Sequence, residues 1–116
     1  MPSTTATLPE VTDATFAAEV LAADRPVLVK FTAEWCGWCR MMEPVLVALQ
    51  EELGDELSIV SLDADHNPET TSSLAVLSLP TLMLFRAGEP VASLVGAMPK
   101  ARLRQRIVDA LPPADG

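Results

Sequence analysis

The run Trp35-Cys36-Gly37-Trp38-Cys39-Arg40 carries both cysteines of the chain, and it lies where two hydrophobic patterns meet. Before it, Val27-Leu28-Val29-Lys30-Phe31 is short, apolar and β-branched, as suits a buried central strand. After it, Met42, Val45, Leu46, Leu49 and Leu53 fall on one helical stripe, which predicts a helix over 37–53. A strand that feeds straight into an amphipathic helix must fold that helix back onto a sheet. The junction therefore points to an α/β architecture and places the two thiols at the start of the helix.

The rest of the chain extends this pattern. Thr12 and Asp13 are good N-cap residues, and Phe16, Val20 and Leu21 recur at helical spacing, so 13–23 reads as a helix ended by Arg25-Pro26. A strand is expected over 57–62, then a turn at Asp65-His66-Asn67-Pro68 opening a short helix through Leu74. Residues 81–85 form a third apolar strand. A turn at Ala87-Gly88-Glu89 leads to a hairpin partner over 91–95. Pro99 starts a closing helix with Leu103, Ile107, Val108 and Leu111 on its apolar side. Pro44 falls inside the long helix and is expected to kink it. This order favours a central parallel sheet covered by helices, to which the late hairpin adds an antiparallel edge.

With 116 residues the chain is read as one domain over 1–116, with an ordered core of about 8–111 and frayed tails. Its apolar content of 49% supplies an ordinary core, so neither a disulfide framework nor a structural metal is needed for stability. The net charge of −8 argues against nucleic-acid binding, which needs a clustered basic surface. Lys100, Arg102, Arg104 and Arg106 read as the solvated face of the last helix. No stretch approaches the roughly 20 continuous apolar residues of a membrane span. The first residues show neither a basic start nor an apolar run, so a secretory signal is not expected and a cytoplasmic location is. In a reducing compartment a close cysteine pair is catalytic or metal-binding more often than a permanent bridge.

Two thiols three residues apart share a helix face. Unpaired amides and the positive dipole end at the helix start favour a thiolate at Cys36, lowering its pKa below the free value of about 8.5. Cys39 lies one turn further in, shielded by Met42 and its neighbours. The asymmetry makes Cys36 the nucleophile that attacks a disulfide, and Cys39 the thiol that resolves the mixed disulfide. Three other uses of the pair stand beside this one. A purely structural bridge would close so small a loop that the chain-entropy gain is only about 2 kcal/mol. A zinc site needs about four ligands, and with only His66 left to help it would have to be shared between chains. A docking module could retain the pair without turning it over. His66 itself reads as a surface or capping residue.

The chain resembles the thioredoxin family. The resemblance runs from about Thr12 to Leu111. It is carried by 27–31, by Ala33-Glu34-Trp35-Cys36-Gly37-Trp38-Cys39-Arg40-Met41, by Pro44, by Asp65-His66-Asn67-Pro68, by Leu79-Pro80-Thr81-Leu82, by Phe85 and Gly88, and by Val95-Gly96-Ala97. It implies the thioredoxin fold: a central mixed sheet of four to five strands flanked by about four helices. It implies a protein disulfide oxidoreductase, most naturally a reductant of protein disulfides. An interaction module, or an oxidase or isomerase with a more oxidising couple, is the alternative. No bound cofactor is implied beyond a redox-active Cys36–Cys39 disulfide. Electrons would come from an NADPH-dependent flavoprotein thioredoxin reductase, and the protein would be monomeric, with no nucleic-acid or membrane partner. Pro80 matches the family's cis-proline, which would leave the Leu79 backbone free to pair with an extended substrate segment. Trp35, Gly37, Trp38, Leu79, Pro80, Val95, Gly96 and Ala97 match the apolar collar around the two sulfurs.

The chain departs from the family pattern at four positions. Trp38 replaces the usual proline and restores a backbone donor expected to point at the Cys36 sulfur. That would make the couple more oxidising than the roughly −270 mV of a thioredoxin. Lys30 replaces the usual buried aspartate, and Ser61 replaces that aspartate's lysine partner. Lys30 is expected either to favour thiolate at Cys39 by its charge, or to snorkel to water or pair with Glu34. Gly37, Trp38, Lys30 and Pro80 are thus the candidates for redox tuning. Thr32 stands where tryptophan is usual, removing aromatic packing beneath the active-site helix.

Overall fold

The computed structural model describes residues 7–111; the two tails expected to fray lie outside the described residues. Four strands, β1 (Val27–Thr32), β2 (Ser58–Asp63), β3 (Thr81–Arg86) and β4 (Glu89–Val95), form one sheet in the order β2-β1-β3-β4. Three α-helices cover it: α1 (Gly37–Leu53), α2 (Pro68–Ser73) and α3 (Lys100–Ala110). A π-helical turn, Ala17–Leu21, and a 3₁₀ turn, Gly54–Glu56, complete the elements of the described residues. An isolated parallel bridge between Glu10 and Ser61 lays the N-terminal segment along β2 as the beginning of a fifth strand.

The strands sort their side chains by the two-residue alternation of extended backbone. Leu28, Ile59, Leu82, Leu84 and Leu94 face α1 and α3, where they meet Met42, Leu46, Leu49, Leu53, Leu103 and Ile107. Val27, Val29, Phe31, Val60, Leu62, Met83 and Phe85 face the other way, onto Val11, Phe16 and Val20. Phe16 and Phe85 meet edge to face, with ring centroids 5.5 Å apart. Lys30 lies two residues beyond Leu28 and so falls on the α1 side, at a position that alternation would give to a leucine.

Two expectations need correction. The sheet is not centrally parallel. Only β1 and β2 run parallel, while β3 is antiparallel to β1 and β4 to β3. A parallel crossover needs a connection of a dozen or more residues that travels the length of the sheet. With its seventeen residues, α1 makes that journey between β1 and β2. The six residues of α2 would span only about 9 Å. The chain therefore re-enters at the end it left: β2 finishes with Asp63 beside Thr32, and β3 starts with Thr81 beside Phe31.

The first helix is also shorter than the 13–23 expected. Thr12 does receive the Thr15 amide on its hydroxyl, and the Phe16 and Glu19 amides reach back four residues to the Thr12 and Thr15 carbonyls, but 13–15 is a turn and the regular element is the π turn ended by Ala22. The Asp13 carboxylate is engaged elsewhere. It accepts the amides of Glu69 and Thr70 and caps α2 across more than fifty residues of sequence. Phe16 and Val20 are buried as expected, whereas Leu21 stays exposed.

Candidate active site

The sheet register gathers the site. Phe31 pairs with Thr81, and Thr81 pairs with Val95, so the end of β1, the start of β3 and the end of β4 share one row. Cys36 follows β1, Leu79 and Pro80 precede β3, and Gly96 and Ala97 follow β4. The Leu79–Pro80 peptide bond is cis, and the Pro80 carbonyl accepts the Gly96 amide at 2.9 Å. Gly96 has φ +93°, a conformation that a residue with a Cβ rarely adopts, so glycine is what lets the chain leave β4 at this point.

Cys36 is the N-cap of α1 and is joined to Cys39 by a disulfide, with their Cα atoms 5.2 Å apart. Cys36 keeps 5% of its surface exposed and Cys39 none. Both pack against Ala33, with half-buried Leu79 on the outside. The Cys36 sulfur accepts the backbone amide of Cys39 at 3.1 Å. This corrects the expectation placed on Trp38. An N-cap side chain reaches the second or third helical amide, and here it takes the third, so the donor to the sulfur is Cys39 and not Trp38. Gly37 occupies the first helical position and is exposed.

Trp35 and Trp38 are 69% and 61% exposed, high values for indoles, and Val95 and Ala97 are exposed as well. Pro80 is buried, between half-buried Leu79 and buried Thr81. The Trp35 indole N–H donates to Asp65 Oδ2 at 2.8 Å. Asp65 lies in the β2–α2 turn, where its own amide donates to Asp63 Oδ1. His66 Nδ1 lies 3.0 Å from Asp63 Oδ2. Although partial burial opposes it, hydrogen bonding from His66 and from the Asp65 amide holds the Asp63 carboxyl below its ordinary value. The hydrogen bond to Asp63, with the negative charge of Asp63 behind it, raises the pKa of His66.

Lys30 is 2% exposed, and its ammonium donates to Glu43 Oε1 at 2.7 Å. It neither snorkels to water nor pairs with Glu34; its partner is Glu43, on the first turns of α1. The second oxygen of Glu43 accepts the Leu8 amide at 3.1 Å. Sequence reading missed three residues here. Glu43 reads as one more polar helix position, although it stands four residues after Cys39. Asp65 is thirty residues from Trp35, and nothing local announces the pairing. Met41, exposed beside Trp38 and Gly37, completes a shallow hollow at the helix start. Among the described residues no group of three or more His, Cys, Asp or Glu side chains could hold a metal ion. Nor is any described helix long and apolar enough to cross a membrane.

The sequence model of the Thioredoxin family matches residues 7–109. The chain belongs to the thioredoxin family. A thioredoxin of Mycobacterium tuberculosis is 48% identical over 103 residues, covering 89% of each chain. One of Alicyclobacillus acidocaldarius is 46% identical over 101 residues, covering 87% of this chain and 95% of its own. A bifunctional thioredoxin reductase/thioredoxin of Mycobacterium leprae is 47% identical over 103 residues, covering 89% of this chain and 22% of its own length. As a thioredoxin, the chain is a disulfide oxidoreductase that works by dithiol–disulfide exchange through its Cys-x-x-Cys disulfide and acts on disulfide substrates. A non-redox docking module is not favoured.

Proposed function

We propose that Cys36 is the attacking thiol and Cys39 the resolving one. The observation that carries this reading is the seat of the pair: Cys36 caps α1, retains surface, and accepts an amide on its sulfur, while Cys39 has no surface at all. A thiolate at Cys36 is stabilised by that amide and by the positive end of the helix. It attacks a substrate disulfide and forms a mixed disulfide; Cys39 then attacks Cys36 sulfur and releases the reduced substrate.

The substrate is held as an extended segment of a protein on the surface formed by Trp35, Gly37, Trp38, Leu79, Val95, Gly96 and Ala97, with cis Pro80 keeping the Leu79 backbone beside the sulfurs. Electrons come from an NADPH-dependent flavoprotein thioredoxin reductase. The Mycobacterium leprae relative, whose name joins the two activities in one chain, supports that source. The protein works as a monomer in the cytoplasm, as one domain, with no nucleic-acid or membrane partner.

Reduction of insulin with dithiothreitol as reductant tests the assignment. Turnover is expected in the wild type and lost in Cys36→Ser. Cys39→Ser is expected to accumulate the mixed disulfide instead. Full activity in Cys36→Ser would exclude the proposed roles.

A further inference from the structure

The exchange just described has a proton to place. Cys39 has no exposed surface, so its thiol proton cannot pass directly to bulk water when its sulfur attacks. The carboxylate of Glu43 stands one helical turn beyond Cys39, on the same face of α1. Its orientation is fixed from two sides, by the Lys30 ammonium on Oε1 and by the Leu8 amide on Oε2. Lys30 supplies that support from the floor of the sheet, buried on the α1 side of β1.

The pair also has a route to solvent. Lys30 and Glu43 line an open cleft of about 780 Å³, whose other charged walls are Arg40 on α1, Glu34 before it, Glu10 on the N-terminal segment and Asp63 at the end of β2. Ala33 lines the same cleft and packs against both cysteines. The cleft therefore comes within one small side chain of the sulfurs.

We propose that Glu43, held in place by Lys30, takes the proton of Cys39 in the resolving step, directly or through one water. This rests on the assignment of Cys39 as the resolving thiol. In the mixed disulfide, Cys36 sulfur is bonded to substrate sulfur. The Cys39 thiol gives its proton to the Glu43 carboxylate, and its sulfur forms a bond to Cys36 sulfur. The bond from Cys36 to the substrate breaks, and the substrate leaves as a thiolate. Cys36 and Cys39 are together oxidised by two electrons and the substrate disulfide is reduced by two. The proton on Glu43 passes to the departing thiolate or out through the cleft. Lys30 is a positioning residue in this scheme: it acts on Cys39 through Glu43.

Stopped-flow reaction of the reduced protein with an aromatic disulfide, 5,5′-dithiobis(2-nitrobenzoate), separates the two steps, since attack by Cys36 and resolution by Cys39 each release one coloured thiolate. Glu43→Gln is expected to leave the first release unchanged. The second should slow about tenfold or more below neutral pH, with the difference closing as pH rises and Cys39 ionises without help. Lys30→Met should slow the same phase, and Lys30→Arg should restore most of it. A second release in Glu43→Gln with the wild-type rate and the wild-type pH profile overturns the proposal. So does slowing that is independent of pH, since misfolding would act at every pH. Failure of the wild type to show a first release, or its survival in Cys36→Ser, would instead overturn the roles given to the cysteines.

Discussion

The indole nitrogen of Trp35 donates to Asp65 Oδ2 across 2.8 Å, tying the residue before Cys36 to the turn that opens α2. A large apolar side chain left 69% exposed would otherwise sample several rotamers. The bond fixes the ring as one wall of the proposed substrate surface. Asp65→Ala is expected to raise KM for a protein disulfide two- to tenfold, the equivalent of one partly exposed hydrogen bond of about 0.5–1.5 kcal/mol, while leaving kcat close to wild type. Equal losses in kcat and kcat/KM would show that Trp35 does more than hold the substrate.

The amide received by Cys36 sulfur makes an ionisation prediction. In the reduced protein, the rate of iodoacetamide alkylation at Cys36 should reach half its maximum below the value of about 8.5 expected of a free thiol. Trp38→Pro should leave that profile close to wild type, because the amide that reaches the sulfur belongs to Cys39. A large upward displacement in Trp38→Pro would mean that Trp38 supplies a donor in the reduced state.

The His66–Asp63 contact gives stability a definite pH window. The pKa of His66 is raised in the folded protein, so its contribution is complete below the unfolded value of about 6.5 and is lost as pH rises through the folded value. The pKa of Asp63 is lowered, so its contribution is complete above the unfolded value of about 3.9 and is lost as pH falls through the folded value. Tm of the wild type should exceed that of His66→Gln between about pH 4 and 6.5, and the two curves should converge as His66 loses its proton. A gap that widens toward pH 9 would contradict the assignment.

Core packing supplies a magnitude. Leu46 lies on the buried stripe of α1 and has no exposed surface. Leu46→Ala should cost about 2–5 kcal/mol, the range for a leucine side chain deleted from a core that cannot collapse fully. Urea unfolding with an unchanged slope would measure it.

Much of this arrangement was legible in the residues alone. The stripe Met42, Val45, Leu46, Leu49 and Leu53 predicted α1 at 37–53, and the structure places it at Gly37–Leu53 with all of these but half-buried Val45 in the core. The strands were found for the same reason, and the placement of Cys36 at a helix start followed from them. Strand direction was legible in part: the mixed sheet, the antiparallel late hairpin and a short second helix were all expected, but not that so short a helix returns β3 antiparallel to β1. The first helix misled because Asp13 looks like a local cap and in fact serves Thr70, a partner that only the fold brings near. The face taken by Lys30 could be read from its spacing to Leu28. Its partner could not, since Glu34 is only four residues from Lys30 while Glu43 is thirteen away, and only the fold decides which turn of α1 lies over the strand.

The row formed by Phe31, Thr81 and Val95 has a consequence for how variants of this scaffold can be built. Sliding β3 by one residue would turn its alternate side chains to the opposite face. It would also draw Leu79 away from the cysteines it packs against and Gly96 away from the Pro80 carbonyl. Grafted loops at this edge therefore inherit their reactivity from strand registration, and an insertion inside β3 should silence the cysteines without touching either one.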